Sequence, residues 1–312
     1  MNDMKKLIIS DLDGTLIRND KSLSERTKRA VTEVRSKGYP FIIATARPER
    51  VVEKFCKGMD YDVLISLNGA CIKVRQHLLK TESEISEKVE KVHVPLSESM
   101  SASDFVEIKV EGSIPHAEFV RIINALEKPC EESDNPESKE THDKIISVET
   151  SQGIFANTII PEWDIEEVTD LASQLQDVLI YKILVAGRDH EFKSVRNLDV
   201  EKYLSFDELG NEIQSVLGDQ MYSSVIDGWL YQIMNKKATK WHGIEKLLEL
   251  LNATPDQVLY FGDDNDDIEC VKNAGLGISM AEAIPRVKDV ADLIIGSNED
   301  DAVAAYLEAL SQ

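Results

Sequence analysis

The chain has 312 residues, 42% hydrophobic and 29% charged, a balance that fits a globular protein of one large domain or two of ordinary size. Its 57 acidic and 35 basic side chains leave a formal net charge of −22, which disfavours nucleic acid and anionic membrane as partners. No apolar run suits a signal peptide or a membrane span, and Cys56, Cys71, Cys130 and Cys270 show neither CxxC nor zinc-ligand spacing, so a cytoplasmic protein with reduced thiols is expected.

The first third alternates between strand and helix signals. Residues 7–10 read as a short buried strand that runs into "DLDGTL". Residues 25–37 read as a helix with Thr27, Ala30, Val31 and Val34 on one face and Gly38 as its stop. "YPFIIAT" (39–45) is a second strand, 48–59 a second helix with Pro48 near its first turn, and "DVLIS" (62–66) a third strand. This order implies a parallel sheet with right-handed crossovers.

The middle has a different rhythm. "KIISVET" (144–150) and "YKILVAG" (181–187) look like half-exposed strands, while 162–176 and 204–217 look helical. Residues 128–141 are acidic and nearly devoid of apolar groups, the signature of a long surface loop. The last third returns to the first pattern. A helix is expected over 240–252 with Ile244, Leu247, Leu248 and Leu251 inward, then strand 257–261, a short helix 267–273, strands 276–280 and 291–295, and helix 299–310. The predicted fold class is α/β: a Rossmann-like parallel sheet core, discontinuous over 1–70 plus 233–312, with an α+β domain inserted over 71–232.

In such a sheet, sites gather outside the carboxyl ends of the strands. Asp11 and Asp13 follow the first strand there, Thr45 and Arg47 the second, Asn68 and Gly69 the third, and Asp263 the strand in "VLYFG". Asp11, directly at the strand end, is the better candidate for a covalent nucleophile. Asp13, across a turn permitted by Gly14, is placed to protonate a leaving oxygen and then deprotonate a water. Two adjacent carboxylates call for a cation, and Mg²⁺ takes hard oxygen ligands of this kind. The bland alternative, a turn after a strand, is outweighed by the second aspartate and the Gly-Thr that follows. "FGDDNDDIEC" places Asp263, Asp264, Asp266 and Asp267 after another buried strand, with Asp263 favoured as a metal ligand and the others suited to a helix N-terminus.

Lys240 stands near a helix start, where a cation is unfavourable, and so points to a role in neutralising a nucleophile and a transferring phosphoryl group. Thr45 suits a hydroxyl bond to a phosphoryl oxygen or simply a β-branched strand position. Arg47 is either a phosphate fork or a surface charge. Asn68-Gly69 is first a turn signal, with substrate contact second. The six histidines show no metal-ligand pairing.

"DLDGTL", "TAR", the lysine before a helix and "GDDNDD" together resemble the four ordered motifs of the haloacid dehalogenase superfamily, and the position and size of the insertion resemble the type-2 cap of its Cof-type (IIB) phosphatases. The resemblance implies that Asp11 forms an aspartyl phosphate, that Asp13 acts as acid and then base, and that Thr45 and Lys240 hold the phosphoryl group. It implies Mg²⁺ bound by the Asp11 carboxylate, the Asp13 main-chain carbonyl and Asp263, with Asp267 as ligand or support. Two positions depart from the family pattern: Ala46 replaces a glycine, and Asp266 stands where an asparagine usually lies near the phosphate.

The leading expectation is a Mg²⁺-dependent phosphomonoesterase acting on a small phosphorylated metabolite, a sugar phosphate or a phosphorylated cofactor. The cap would close over the core and read the leaving group, with Arg188 or His190 either touching substrate or simply solvated loop charges. A phosphomutase and a non-catalytic metabolite-binding protein on the same fold are the alternatives.

Overall fold

The computed structural model describes residues 6–79, 105–108, 110–127, 144–158, 166–167, 170–186, 206–226 and 230–312. Its first strand, β1 (Leu7–Ser10), is buried at all four positions. Helix α1 (Glu25–Ser36) follows, capped by Ser24, whose hydroxyl accepts the Thr27 N–H at 3.0 Å, and it buries Thr27, Ala30, Val31 and Val34 as the periodicity requires. Strand β2 (Phe41–Ala44), helix α2 (Glu49–Phe55) and strand β3 (Val63–Ser66) complete the expected run. Strands β1, β2 and β3 pair in parallel.

The sheet does not stop at residue 70. Strand β4 (Cys71–Arg75) pairs antiparallel with β3, and β5 (Phe105–Ile108) antiparallel with β4. The expected boundary at 70/71 therefore falls inside this sheet. The polar residues that made the segment read as non-core are buried in pairs: Lys73 meets Glu49 in an ion pair and lies opposite Glu107 across the β4–β5 ladder.

One compact unit comprises Gly112–Lys236. In chain order it contains α3 (His116–Leu126), β6 (Ile145–Thr150), β7 (Gly153–Ala156), β8 (Glu166–Glu167), α4 (Leu171–Gln174), β9 (Ile180–Ala186), α5 (Phe206–Val216), β10 (Met221–Ile226) and β11 (Leu230–Asn235). The strands form a sheet in the order β10-β11-β9-β6-β7-β8. Ile146, Val148, Ile183, Val185 and Ile233 on one face share an apolar core with Phe119, Ile122, Ile123, Leu209 and Ile213 of α3 and α5. The strands expected to be half-exposed are instead buried along almost their whole length. Their alternating polar residues find partners in the sheet, with Glu149 opposite Lys182 across β6 and β9.

The helix expected over 162–176 is replaced, among its described residues, by strand β8, which pairs in parallel with β7, and by the single turn α4 capped by Asp170. The expected loop 128–141 and the residues Arg188 and His190 lie outside the described residues. Strand β11 runs to Asn235, beyond the boundary expected at 232/233.

The other compact unit joins Met1–Glu111 to Lys237–Gln312. Its second segment supplies α6 (Lys240–Leu251), β12 (Val258–Gly262), α7 (Ile268–Asn273), β13 (Leu276–Ser279), α8 (Pro285–Lys288), β14 (Leu293–Ile294) and α9 (Ala302–Leu310). The sheet order is β14-β13-β12-β1-β2-β3-β4-β5, parallel from β14 through β3. Strand β1 thus lies between β2 and β12, the most enclosed position, with the apolar core on both faces. The helix expected over 299–310 is interrupted at Asp301, which adopts a left-handed backbone at φ 56°. No helix among the described residues is long and apolar enough to cross a membrane.

Candidate active site

The side chains of interest leave the carboxyl ends of β1, β2, β3 and β12. Asp11 continues β1 and donates its N–H to the Phe261 carbonyl of β12 at 2.9 Å, which fixes the backbone one residue beyond the strand. Leu12 then begins a tight flap in which Asp13 bridges Ile17. Gly14 has φ +73°, and a Cβ there would run into the Asp263 carboxylate, so glycine serves both the turn and the close approach of β12. Distant residues pin the flap. Asn298 donates to the Ile17 carbonyl at 2.9 Å, Glu299 accepts the Asn19 N–H at 2.6 Å, and Arg18 forks onto both Asp301 oxygens at 3.0 Å.

Behind the flap lies a buried charge cluster. Lys240, the first residue of α6, is 4% exposed. Its Nζ donates to Asp11 Oδ1 at 2.5 Å and to Asp267 Oδ1 at 2.7 Å. Asp263 extends from β12, and Thr15 donates to its Oδ1 at 2.6 Å. Asp11, Asp263 and Asp267 each offer an oxygen within 4.8 Å of the others. Two of the three carboxylates bond the one lysine, and a hard divalent cation such as Mg²⁺ suits the carboxylate oxygens that remain free. Asp13, expected to offer its main-chain carbonyl, keeps its carboxylate outside this cluster.

The electrostatics follow from burial. Burial pushes the Asp11 carboxyl well up; Lys240 opposes the shift, and the Asp267 and Asp263 charges add to it. Burial likewise lifts Asp263 to about 6 against the Thr15 hydrogen bond. For Lys240, burial works against the cation, but Asp11 and Asp267 outweigh it and hold its pKa well above the usual lysine range.

Asp13 is handled differently. Arg47 donates to it through Nε at 2.9 Å and Nη2 at 3.2 Å, and Lys21 donates at 2.6 Å. Burial alone would raise its pKa, yet these two cations hold it below the usual carboxylate range. Arg47, a candidate substrate residue, is therefore engaged with the candidate acid/base.

Thr45 is buried at the end of β2 and accepts the Arg47 N–H at 3.1 Å, which leaves its hydroxyl proton to donate. Asn68 and Gly69 form the turn after β3, with left-handed backbone at Asn68 (φ 53°) and Gly69 (φ 86°). A Cβ on Gly69 would strike the Thr239 carbonyl at the cap of α6, so this glycine lets the turn touch the helix that carries Lys240. Asn68 is buried, and its Oδ1 has no hydrogen-bond partner. Asp266 is exposed, and the Asn265 amide bonds Asp264 at 3.2 Å. Thr15, Lys21 and Tyr260 were not identified from the sequence. Thr15 stands inside the quoted motif, whereas Lys21 and Tyr260 carry no local signal.

A parallel sheet with a carboxylate at its central strand end, a lysine arriving from a distant helix and a hard-cation donor set defines an α/β enzyme. A family model of haloacid dehalogenase-like hydrolases matches residues 8–220 and 188–307, and the chain belongs to that family. A 5-amino-6-(5-phospho-D-ribitylamino)uracil phosphatase of Bacillus subtilis (strain 168), YitU, is 23% identical to it over 97% of this chain and 96% of its own length. Among solved structures, TM0651 from Thermotoga maritima superposes with a TM-score of 0.69 at 18% identity, over 99% of this chain and 98% of that one. The subclass IIB sugar phosphatase BT4131 superposes with a TM-score of 0.62 at 16% identity, over 98% and 99% of the two chains. The Cof-type, subclass IIB resemblance read from the motifs agrees with these relatives.

Proposed function

We propose that this phosphomonoester hydrolase is a Mg²⁺-dependent phosphatase that works through an aspartyl phosphate on a small phosphorylated metabolite. The observation that carries the reading is the buried bridge from Lys240 to Asp11 and Asp267 at a strand end shared with Asp263. Lys240 occupies Asp11 Oδ1, so Oδ2 is the attacking atom. As the Asp11 oxygen bonds phosphorus, the ester P–O bond breaks and protonated Asp13 delivers its proton to the leaving oxygen. In the second half Asp13 takes a proton from water, the water oxygen bonds phosphorus, and the bond to Asp11 breaks. Phosphate leaves and both side chains return to their starting states.

Arg47 and Lys21 favour ionised Asp13, which suits the base half of this cycle; in the acid half Asp13 has to leave that clamp. Lys240 and the Thr45 hydroxyl hold phosphoryl oxygens, and Asn68 Oδ1 and Gly69 lie at the next strand end as leaving-group contacts. Asp11, Asp263 and the Asp13 carbonyl would hold Mg²⁺, which would neutralise the phosphoryl charge. The inserted unit Gly112–Lys236 takes the role of a type-2 cap in this reading. The named relatives, a 5-amino-6-(5-phospho-D-ribitylamino)uracil phosphatase and a sugar phosphatase, support a sugar phosphate or a phosphorylated cofactor as substrate, and the protein is read as cytoplasmic. The test is phosphate release from p-nitrophenyl phosphate and a panel of phosphorylated metabolites, with and without Mg²⁺. Turnover with Mg²⁺ alone is expected. No turnover on any member overturns the reading, and turnover that needs a bisphosphate activator marks a mutase.

A further inference from the structure

Asp267 is fully buried, and all of its accepting capacity is in use. Its Oδ2 accepts the main-chain N–H groups of Asp263 at 2.9 Å and Asp264 at 3.1 Å. Its Oδ1 accepts Lys240 Nζ at 2.7 Å and the Tyr260 hydroxyl at 2.6 Å. An ionised carboxylate offers about four lone-pair sites, so none is left over for a cation. Three of the four donors have an evident task, since two fix the turn after β12 and one aims Lys240 at Asp11. The fourth comes from a tyrosine that is wholly buried within β12, out of reach of any substrate. A phenol in such a place is costly unless its hydroxyl is used.

We propose that Tyr260 is a positioning residue whose hydroxyl fills the last acceptor site on Asp267 and thereby commits that carboxylate to Lys240 instead of to the bound cation. This rests on the phosphatase reading for its consequence, not for its geometry. Asp267, Asp263 and Asp11 each offer an oxygen within 4.8 Å of the others. Freed of the phenol, Asp267 Oδ1 has a spare lone pair beside the cation. Turning toward it would draw Lys240 off Asp11. The metal would gain a ligand and the nucleophile would lose its lysine.

The test is Tyr260→Phe, which removes one oxygen and keeps the ring. Mg²⁺ affinity is measured by isothermal titration calorimetry on wild-type and variant full-length protein, alongside turnover of p-nitrophenyl phosphate. The variant is expected to bind Mg²⁺ at least about threefold more tightly. Its kcat should fall about tenfold with KM within about twofold of wild type, because the lost bond is to a charged group and touches no substrate. Unchanged or weaker Mg²⁺ binding overturns the inference, whatever kcat does. Should the variant not fold, proton NMR of the wild type decides. The Tyr260 hydroxyl proton, shielded from exchange, should persist through a Mg²⁺ titration; its loss overturns the inference. Inactive wild-type protein with an intact Mg²⁺ difference would sink the phosphatase reading alone, and wild-type protein that binds no Mg²⁺ sinks both.

Discussion

In the unit Gly112–Lys236, several buried polar groups are satisfied close to home, although His116 Nε2, Glu127 Oε1 and Gln232 Oε1 have no hydrogen-bond partner. The Asn157 amide accepts the Ile146 N–H at 2.9 Å and donates to the Lys144 carbonyl at 3.1 Å, continuing the β6 ladder with a side chain. Lys144 itself reaches the Leu126 carbonyl at 3.1 Å and Glu212 at 3.0 Å, and Glu149 faces Lys182. In the other unit, buried charge is pooled. Asp11, Asp263 and Asp267 gather from the ends of β1 and β12 and the start of α7, with the one positive charge of Lys240 among three carboxylates. Distributed, neutral pairing makes a scaffold. Concentrated, unequal pairing makes a site that gains from a cation.

The contrast can be broken most sharply at its centre. Asp11→Asn is expected to lower phosphate release by at least about 10³-fold, because it removes the proposed nucleophile. Its melting temperature should equal or exceed that of the wild type, because an amide relieves the crowding of three carboxylates. A melting temperature well below wild type would show that Asp11 is a structural ion-pair partner. Next comes Lys240→Met, which strands two buried carboxylates. It should abolish turnover and cost about 3–5 kcal/mol by urea denaturation in EDTA. A neutral effect on stability would mean that the cluster is far wetter than its 4% and 1% side-chain exposures imply.

Mg²⁺ itself should stabilise the protein by roughly 3 kcal/mol at a hundredfold excess over its dissociation constant, read as a thermal shift of several degrees. Asp263→Asn should remove more than half of that shift, and an undiminished shift would place the cation elsewhere.

The smallest effect tests the scaffold. Glu127 caps the C-terminal end of α3, where negative charge is unfavourable, and its Oε1 has no hydrogen-bond partner. Burial, then Asp170, raises its pKa from 4.5 to about 7. A carboxyl raised in this way keeps its proton in the fold while the unfolded chain ionises. Stability is therefore full below about pH 4.5 and is lost as pH rises toward 7. Glu127→Gln should remove this slope and stabilise at pH 8 by on the order of 1 kcal/mol, discounted for partial exposure. Catalysis should be unchanged. Equal melting temperatures at pH 8 would deny the burial effect.

Much of this arrangement was legible in the sequence because periodicity reports burial. The face of α1 and the inward leucines of α6 emerged residue for residue. The convergence of strand ends also followed, since parallel topology dictates it. What stayed hidden were polar groups buried by pairing. Lys73 beside Glu49 and Glu107 concealed two strands of the sheet, and Ser147 and Glu149 made β6 look half-solvated. Tyr260 was hidden in the opposite sense, as an apolar-looking strand residue whose hydroxyl matters. The Asp13–Arg47 pair depends on a flap conformation that no local motif encodes.

The pinned flap bears on how the protein is made. Asp11 leaves the ribosome 229 residues before Lys240, and Arg18 leaves it 283 residues before Asp301. Until those later segments emerge, β1 has β2 on one side and no β12 on the other, and the flap has nothing to hold it. A nascent chain therefore displays Asp11, the proposed nucleophile, early but without the lysine and carboxylates that surround it in the fold. Activity switches on only when distal residues dock, so prematurely terminated chains should be inert as catalysts and should expose an open, apolar strand edge for chaperones to shield.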